Sequence, residues 1–600
     1  MNLFRTDRPK TLTRLFLDYF ETAQHERKIF FSKNENGSYS GSGMGDLVTS
    51  VFDLCERFAE FGLRKNDKVA IISENRFEWV ICDFACMFYG VISVPVYPSL
   101  APVQISHILK ESESKICFVS GTSLLEKVSS LRSNLPDLKK MIIFNQTDNT
   151  ELKDHTSYFG DMVRQGIPRK YELIIKPLAA MSEAVSEDDV LTIIYTSGTT
   201  GVPKGVMLTH KNLWTNIEAC TNVLSISETD TFLSFLPYSH SYERVAGYYL
   251  AFFSRARIFY AQSIETVGAQ MPEVKPTMLI TVPRLLDRIY NRLLKSAEDM
   301  EIGIKKNLFV SAINMAREQK VKKHSLKWRI ADKLVYSKIR AKTGGEIRFL
   351  VSGGGALNVR IGKFFEYIGL TTLEGYGLTE TSPVISVNPP AKNKFGTVGP
   401  PLKGVNLKLS EENEILVSGE LVMKGYYKDE KSTNEMIING WLYTGDIGEI
   451  DNDGYIKITD RKKSLFKTSG GKYIAPAPLE DLISTMPFVE SVMVCGNGRM
   501  YVTALIVPQR NDLLIYAAKN NFTFNTYEDL FTNERLIEQI QKDIDLLQKD
   551  ISQYEKVRRV ALLKEPFTIE GGELTPTLKV KRKFVEEKYA DEIEKMYLNI

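Results

Sequence analysis

Long apolar runs are scarce in this 600-residue chain. The nearest approach to a membrane span is "WVICDFACMFYGVISVPVY", residues 79–97. Asp83, Gly90 and Pro95 interrupt it, so it reads as a helix, a turn and a buried strand rather than a crossing. The opening "MNLFRTDRPKTLTRLFLDYF" lacks an uninterrupted apolar segment and a small-residue cleavage site, which argues against a secretory signal. Cysteine is sparse. Cys55, Cys82, Cys86, Cys117, Cys220 and Cys495 form no CxxC pair and mostly sit in apolar runs, so free buried thiols in a reducing cytosol are expected instead of disulfides or zinc. Charge of one sign is also missing: 77 basic residues against 74 acidic give +3, which speaks against a bulk electrostatic nucleic-acid binder but leaves room for a local basic patch. No low-complexity tract and no repeat of fixed period is present. Gly-Lys-Ser/Thr is absent too, which excludes a Walker A loop. Together these absences predict a soluble, cytoplasmic protein.

What is present is an ordinary globular composition, 43% hydrophobic and 25% charged, in a chain too long for one core. The first half alternates helical and strand patterns. "DLVTSVFDLCERFAEFG" sets Leu47, Val51, Leu54, Phe58 and Phe61 on one helical face with Gly62 as a C-cap, and "KVAIIS", a helix over 78–90 and "VISVPVY" follow. This alternation predicts a mostly parallel sheet covered by helices. Residues 285–342 read as long, charged and helical, and "IRFLVSGGGAL" as a strand running into glycines. Beyond about 455 the texture becomes that of a smaller α+β segment with a charged helix near 533–550. The expected division is 1–459 and 460–600.

One loop demands a chemical explanation. In "YTSGTTGVPKGVML" (195–208), Thr196, Ser197, Gly198, Thr199, Thr200 and Gly201 offer amides and hydroxyls with almost no bulk. Amides in a tight concave loop point at one anionic guest, and Lys204 adds a point charge suited to phosphate. "VLTIIY" leads in as a strand and "GVMLTH" leads out as another, so no helix dipole contributes. An isolated S-G-T-T-G serves equally well as a surface turn.

The wider pattern decides between these. "YTSGTTGVPKGVMLTH", "LPYSHSYER" (236–244), "EGYGLTETSP" (374–383), "GELVMKGYY" (419–427), "WLYTGD" (441–446), "DRKKSLFKTSGGKYIAP" (460–476) and "LTPTLKVKR" (574–582) resemble, in order, the motifs of the acyl-adenylate-forming (AMP-binding) superfamily. The resemblance covers roughly residues 40–585. It implies an α/β fold: a large N-terminal adenylate-forming domain of mixed and parallel sheets with helices and a distorted barrel, and a small mobile α+β C-terminal domain. It also implies roles. Glu380 is similar to the family's Mg²⁺ ligand, Thr379 to the donor to the α-phosphate, Tyr376 to the adenine platform, and Gly353, Gly354 and Gly355 to the backbone that approaches the base. Asp446 and Arg461 match the ribose contacts. Lys579 matches the lysine that bridges carboxylate and α-phosphate, although Leu578 stands where many relatives have glycine. Lys463 aligns with the hinge, with Asp460 as the alternative, and His240 with the residue near the acyl carboxylate. Each has a plainer alternative: a solvated acid at 380, a strand-end turn at 353–355, a turn aspartate at 446, a basic tail around 579, a structural histidine at 240.

The substrates implied are a fatty acid, ATP with Mg²⁺, and coenzyme A. The charged insertion at 285–342 and "LTPTLKVKR" look like those of long-chain fatty acyl-CoA synthetases. "VAGYYLAFFS" after His240 supplies either a tunnel lining or core. A fatty acyl-AMP ligase serving a carrier protein, and a non-catalytic binding protein derived from the fold, are the competing readings. The missing insertion after "GLTE" and the intact Lys204, Glu380, Asp446, Arg461 and Lys579 count against these two. Peripheral membrane contact through "TLTRLFLDYF" is weighed against a core-packed N-terminal helix. Oligomeric state is not legible.

Overall fold

The computed structural model describes residues 4, 8–145, 155–163, 170–196, 203–298, 300–301, 303–462, 464–549, 551–568, 571–575 and 580–598. The chain divides into two compact units. The first comprises Met1–Lys408, Leu416–Tyr443 and Ile450–Lys457; the second comprises Leu409–Ile415, Thr444–Glu449 and Ile458–Ile600.

The first unit is built on two eight-stranded sheets. One runs Val384–Val387, Thr372–Gly377, Phe349–Ser352, Met278–Thr281, Thr231–Ser234, Arg257–Tyr260, Lys28–Lys33 and Tyr39–Gly43. It is parallel in the middle and antiparallel at both ends. The other runs Gly425–Tyr426, Lys204–Thr209, Val190–Thr196, Ile92–Val96, Lys68–Ile72, Ser114–Val119, Lys140–Ile143 and Thr156–Tyr158. Its first three strands are antiparallel and the rest parallel. Near-continuous burial of Ile92–Val96 and Lys68–Ile72 explains their unbroken apolar character, since parallel strands are covered on both faces.

The helix Met44–Glu60 buries Leu47, Val51, Leu54 and Phe58, as the spacing predicts, and Gly62 takes a positive φ of 69° just beyond it. The interrupted run 79–97 resolves as predicted into the helix Phe77–Tyr89, Gly90 at φ 76° and the strand Ile92–Val96. Asp83, fully buried in that helix, forms an ion pair with Arg244 and accepts the Tyr249 hydroxyl at 2.6 Å. A buried charge needs such partners. All six cysteines are free and buried, and burial pushes their thiols up, to about 12 at Cys220 and Cys495.

The N-terminal helix Leu12–Thr22 is core, not membrane anchor: Leu12, Leu15, Phe16, Leu17, Tyr19 and Phe20 are buried, with the Phe16 ring 4.8 Å from that of Phe84. Its amphipathic pattern is used to pack inward. Among the described residues no helix is long and apolar enough to cross a membrane.

The second unit is α+β. Its sheet holds Val489–Cys495 antiparallel to Val502–Pro508, which pairs in parallel with Val557–Leu562. The charged helix expected near 533–550 is Glu534–Leu547, which buries Leu536, Ile540 and Ile544 at four-residue spacing.

Candidate active site

In the first unit the strands Val190–Thr196 and Lys204–Thr209 form a hairpin with Thr196 opposite Lys204. Ser197, Gly198, Thr199, Thr200 and Gly201 lie outside the described residues, as do Lys463 and Lys579. Lys204 stands at the start of its strand, where Nζ donates to Ser432 Oγ at 2.5 Å and lies 3.6 Å from Asp429. Its ammonium also sits 5.3 Å from the centre of the Tyr426 ring, within cation–π range.

Tyr426 links two of the expected site residues. Its strand pairs with Lys204–Thr209, Tyr426 opposite Val206, and its hydroxyl donates to Glu380 Oε1 at 2.8 Å. Burial, reinforced by the Glu380 carboxylate, pushes the phenol well up, so it remains a donor. Glu380 is 9% exposed, on the short helical turn Thr379–Thr381, and its carbonyl accepts the Met423 N–H at 2.8 Å. The neighbouring Thr379 Oγ1 lies 3.1 Å from Ser241 Oγ. This contact joins "GLTET" to "LPYSHSYER".

From Ser241 the network continues. His240 Nδ1 accepts the Tyr242 backbone N–H at 3.1 Å, so a neutral ring carries its proton on Nε2. The Tyr242 hydroxyl donates to the Val351 carbonyl at 2.8 Å. Its ring occupies the space above Gly353, where an added Cβ would come within 2.7 Å of it, which is why that position lacks a side chain. Gly354 adopts φ 78°. Gly355 has ordinary room, with Pro283 3.7 Å from an added Cβ. Tyr376 lies on the strand Thr372–Gly377, opposite Ser386. Thus Thr196, Lys204, His240, Gly353, Thr379 and Glu380 belong to one connected set of contacts in the first unit, and Tyr376 to a strand running into it.

In the second unit, Asp446 is buried and Arg461 Nε lies 2.9 Å from its Oδ1. The Thr444 hydroxyl accepts the Asp446 N–H at 3.1 Å and itself donates to the Ile415 carbonyl at 2.7 Å. The two expected ribose residues are therefore side by side. Asp460 accepts the Arg461 N–H at 2.6 Å, and burial pushes its carboxyl up to about 6.

One residue escaped the sequence reading, and another, Glu243 in the "ER" of "LPYSHSYER", was read without its burial. Tyr426 lies in a quoted motif, but nothing in "MKGYY" states which tyrosine faces the carboxylate. Glu243 is 1% exposed, accepts the Ser234 hydroxyl at 2.6 Å, and burial pushes its carboxyl well above the usual range. A Cβ at Gly247 would fall 2.4 Å from that carboxyl, so the glycine makes its space. "VAGYYLAFFS" itself is buried core, with Tyr248 stacked on Tyr238 at 4.9 Å and Phe252 5.2 Å from Phe84.

Comparison with known proteins bears on the family and the fold. The family described as AMP-binding enzyme matches residues 22–427, and the AMP-binding enzyme C-terminal domain matches residues 464–600. The chain is 34% identical over 593 residues to a Mycobacterium bovis protein named long-chain-fatty-acid–CoA ligase FadD15, covering 96% of each. It is 32% identical to Arabidopsis thaliana long chain acyl-CoA synthetase 6, peroxisomal, covering 94% of this chain and 82% of that protein. Among solved structures, the adenylation domain of a carboxylate reductase from Mycobacterium chelonae shares the fold, with TM-score 0.76 and 21% identity over 100% of this chain and 92% of that one.

Proposed function

The chain belongs to the AMP-binding enzyme family, and from that premise we propose that it is a long-chain fatty acid–CoA ligase. It converts ATP, a fatty acid and coenzyme A into acyl-CoA, AMP and pyrophosphate by way of an acyl-adenylate. The observation that carries this reading is the extent of likeness to proteins so named: 96% of the chain, through both units, rather than the nucleotide motifs alone.

The residues divide the work. Amides and hydroxyls of 196–201 and the Lys204 ammonium hold the phosphates. Tyr376 and the backbone at Gly353–Gly355 receive adenine, and Asp446 with Arg461 takes the ribose hydroxyls, since a carboxylate accepts two hydrogen bonds from a vicinal diol. Thr379 donates to the α-phosphate, its hydroxyl oriented by Ser241. The Lys579 cation stabilises the charge that develops as the carboxylate oxygen attacks α-phosphorus and pyrophosphate leaves. His240 Nε2–H orients the acyl carboxylate. The C-terminal domain, taken as 460–600, then turns about Lys463, withdrawing Lys579 and admitting the thiol. A free thiol has a pKa of about 8.5, so attack on the acyl-adenylate proceeds without a dedicated base.

Glu380 fits a Mg²⁺ ligand: its carboxylate is a hard oxygen donor fixed through one oxygen by Tyr426. No group of three or more His, Cys, Asp or Glu suited to a metal occurs among the described residues, so Glu380 would hold the ion jointly with nucleotide phosphates and water, as Mg²⁺ prefers. When bound, the ion neutralises phosphate charge.

The test is incubation of purified protein with MgATP and C2 to C20 fatty acids, with and without coenzyme A, followed by mass spectrometry. Long-chain acyl-CoA, AMP and pyrophosphate are expected. Acyl-AMP that never passes to coenzyme A would assign carrier-protein loading instead, and no acyl-AMP from any acid would overturn the ligase reading.

A further inference from the structure

The helical segment that begins at Leu326 has two apolar faces, and only one of them is packed. It runs Leu326–Ala331, through a wider turn Asp332–Tyr336, to Ser337–Lys342. Trp328, Ala331, Val335, Tyr336 and Ile339 are buried on the inward face. That face is fixed: Trp328 Nε1 donates to the Tyr367 carbonyl at 3.1 Å and the Tyr336 hydroxyl to the Ala312 carbonyl at 2.7 Å. On the other face Leu326 is 76% exposed, Ile330 48% and Leu334 41%. Four-residue spacing aligns these three as a ridge, and core packing does not account for it.

Cations flank the ridge. Arg329 and Lys333 each precede one of its residues, while Lys327 and Lys338 lie on the opposite flank; all four are exposed and form no ion pair with a described residue. The surrounding segment 303–345 carries twelve Lys and Arg against two acidic residues, Glu318 and Asp332. The whole chain has 77 against 74, so the remainder is net acidic and this segment carries the chain's excess positive charge. Glu318 is paired with Lys320, and Asp332 with Arg340, on the same segment.

We propose that this face is the surface by which the protein docks on an anionic lipid bilayer. The ridge Leu326, Ile330, Leu334 enters the headgroup–acyl boundary while Lys327, Arg329, Lys333 and Lys338 meet lipid phosphates. An apolar centre with a basic rim is the pattern of an interfacial helix. A polyanion such as RNA would use the cations and leave the ridge in water. Docking brings the enzyme to where its acyl substrate partitions; that benefit rests on the ligase reading, whereas docking itself does not.

The experiment is co-sedimentation of the full chain with phosphatidylcholine vesicles, with and without 30% phosphatidylglycerol. Binding is expected only on the anionic vesicles, weakening with salt. Each of Lys327→Glu, Lys333→Glu and Lys338→Glu should reduce the partition coefficient roughly fivefold or more at low ionic strength. The triple variant Leu326→Ser, Ile330→Ser, Leu334→Ser should abolish binding while leaving the melting temperature and the turnover of detergent-dispersed fatty acid unchanged. Unaltered vesicle binding by that variant would overturn the proposal, with parallel binding to RNA identifying a polyanion surface. So would a ridge-dependent dimer by light scattering without vesicle binding. Vesicle binding by a protein that makes no acyl-adenylate would leave docking standing and remove the ligase reading alone.

Discussion

The site residues of the first unit and those of the second are built to different standards. Lys204, Tyr426, Glu380, Thr379 and Ser241 come from four separated stretches, each at a strand end or short turn, and hold one another through contacts of 2.8 Å, 3.1 Å and a ring-stacked ammonium. In the second unit Asp446 is buried, but its partner Arg461 has half its side chain in solvent. The first group is therefore held in place by its own contacts, as the proposed phosphate and metal site requires. In the second, the proposed ribose hydroxyls would have to displace an exposed guanidinium from a fixed carboxylate. On the proposed reading, the first unit holds the phosphates and the metal, while the second holds the ribose and supplies the residue that drives chemistry.

The sharpest way to break that division is Lys579→Ala. Adenylation in a single turnover should fall by about 10³-fold, the scale of losing a group aimed at developing charge, with ATP affinity by calorimetry nearly unchanged. An equal loss of affinity would move Lys579 to binding. Next comes Glu380→Gln, which should lower kcat/KM by about 10²-fold and raise the Mg²⁺ concentration needed for half-maximal rate. Tyr426→Phe removes one hydrogen bond to a charged oxygen, about 1.5–3 kcal/mol, and should cost about tenfold or more in kcat/KM with the same Mg²⁺ signature; a drop in melting temperature with no change in the Mg²⁺ curve would make Tyr426 merely structural. Arg461→Ala should raise KM for ATP several-fold and spare kcat.

The smallest effect concerns stability. Leu12 N–H donates to His210 Nδ1 at 3.2 Å in the core, and burial holds that imidazole down at about 3. Its ordinary value is 6.5, so as pH falls the unfolded chain takes up the proton first. Stability contributed by neutral His210 is thus present above pH 6.5 and lost toward pH 3, at a slope approaching about 1.4 kcal/mol per pH unit. His210→Gln, which keeps an acceptor, should flatten the fall in melting temperature between neutrality and about pH 4.

Much of this was legible from residues alone. The 3.6-residue spacing marks Met44–Glu60, which buries one face, while unbroken apolar runs bounded by polar residues and Gly90 mark Lys68–Ile72 and Phe77–Tyr89, which are buried nearly all round. The motifs name Glu380, Thr379, Asp446 and Arg461 because spacing within a loop is local information. What was not legible is long-range. Tyr426 meets Glu380 across 46 residues of sequence, and Ser241 meets Thr379 across 138. The two amphipathic helices make the same point. Leu12–Thr22 and the segment from Leu326 carry similar patterns, yet the first hides its apolar side while the second shows one, since burial is decided by what lies opposite.

The most direct measurement of the central claim is ATP–pyrophosphate exchange in the absence of coenzyme A, with fatty acids of increasing length. The account predicts exchange that requires a long-chain acid and disappears in Lys579→Ala. Binding of MgATP without exchange for any fatty acid would contradict it.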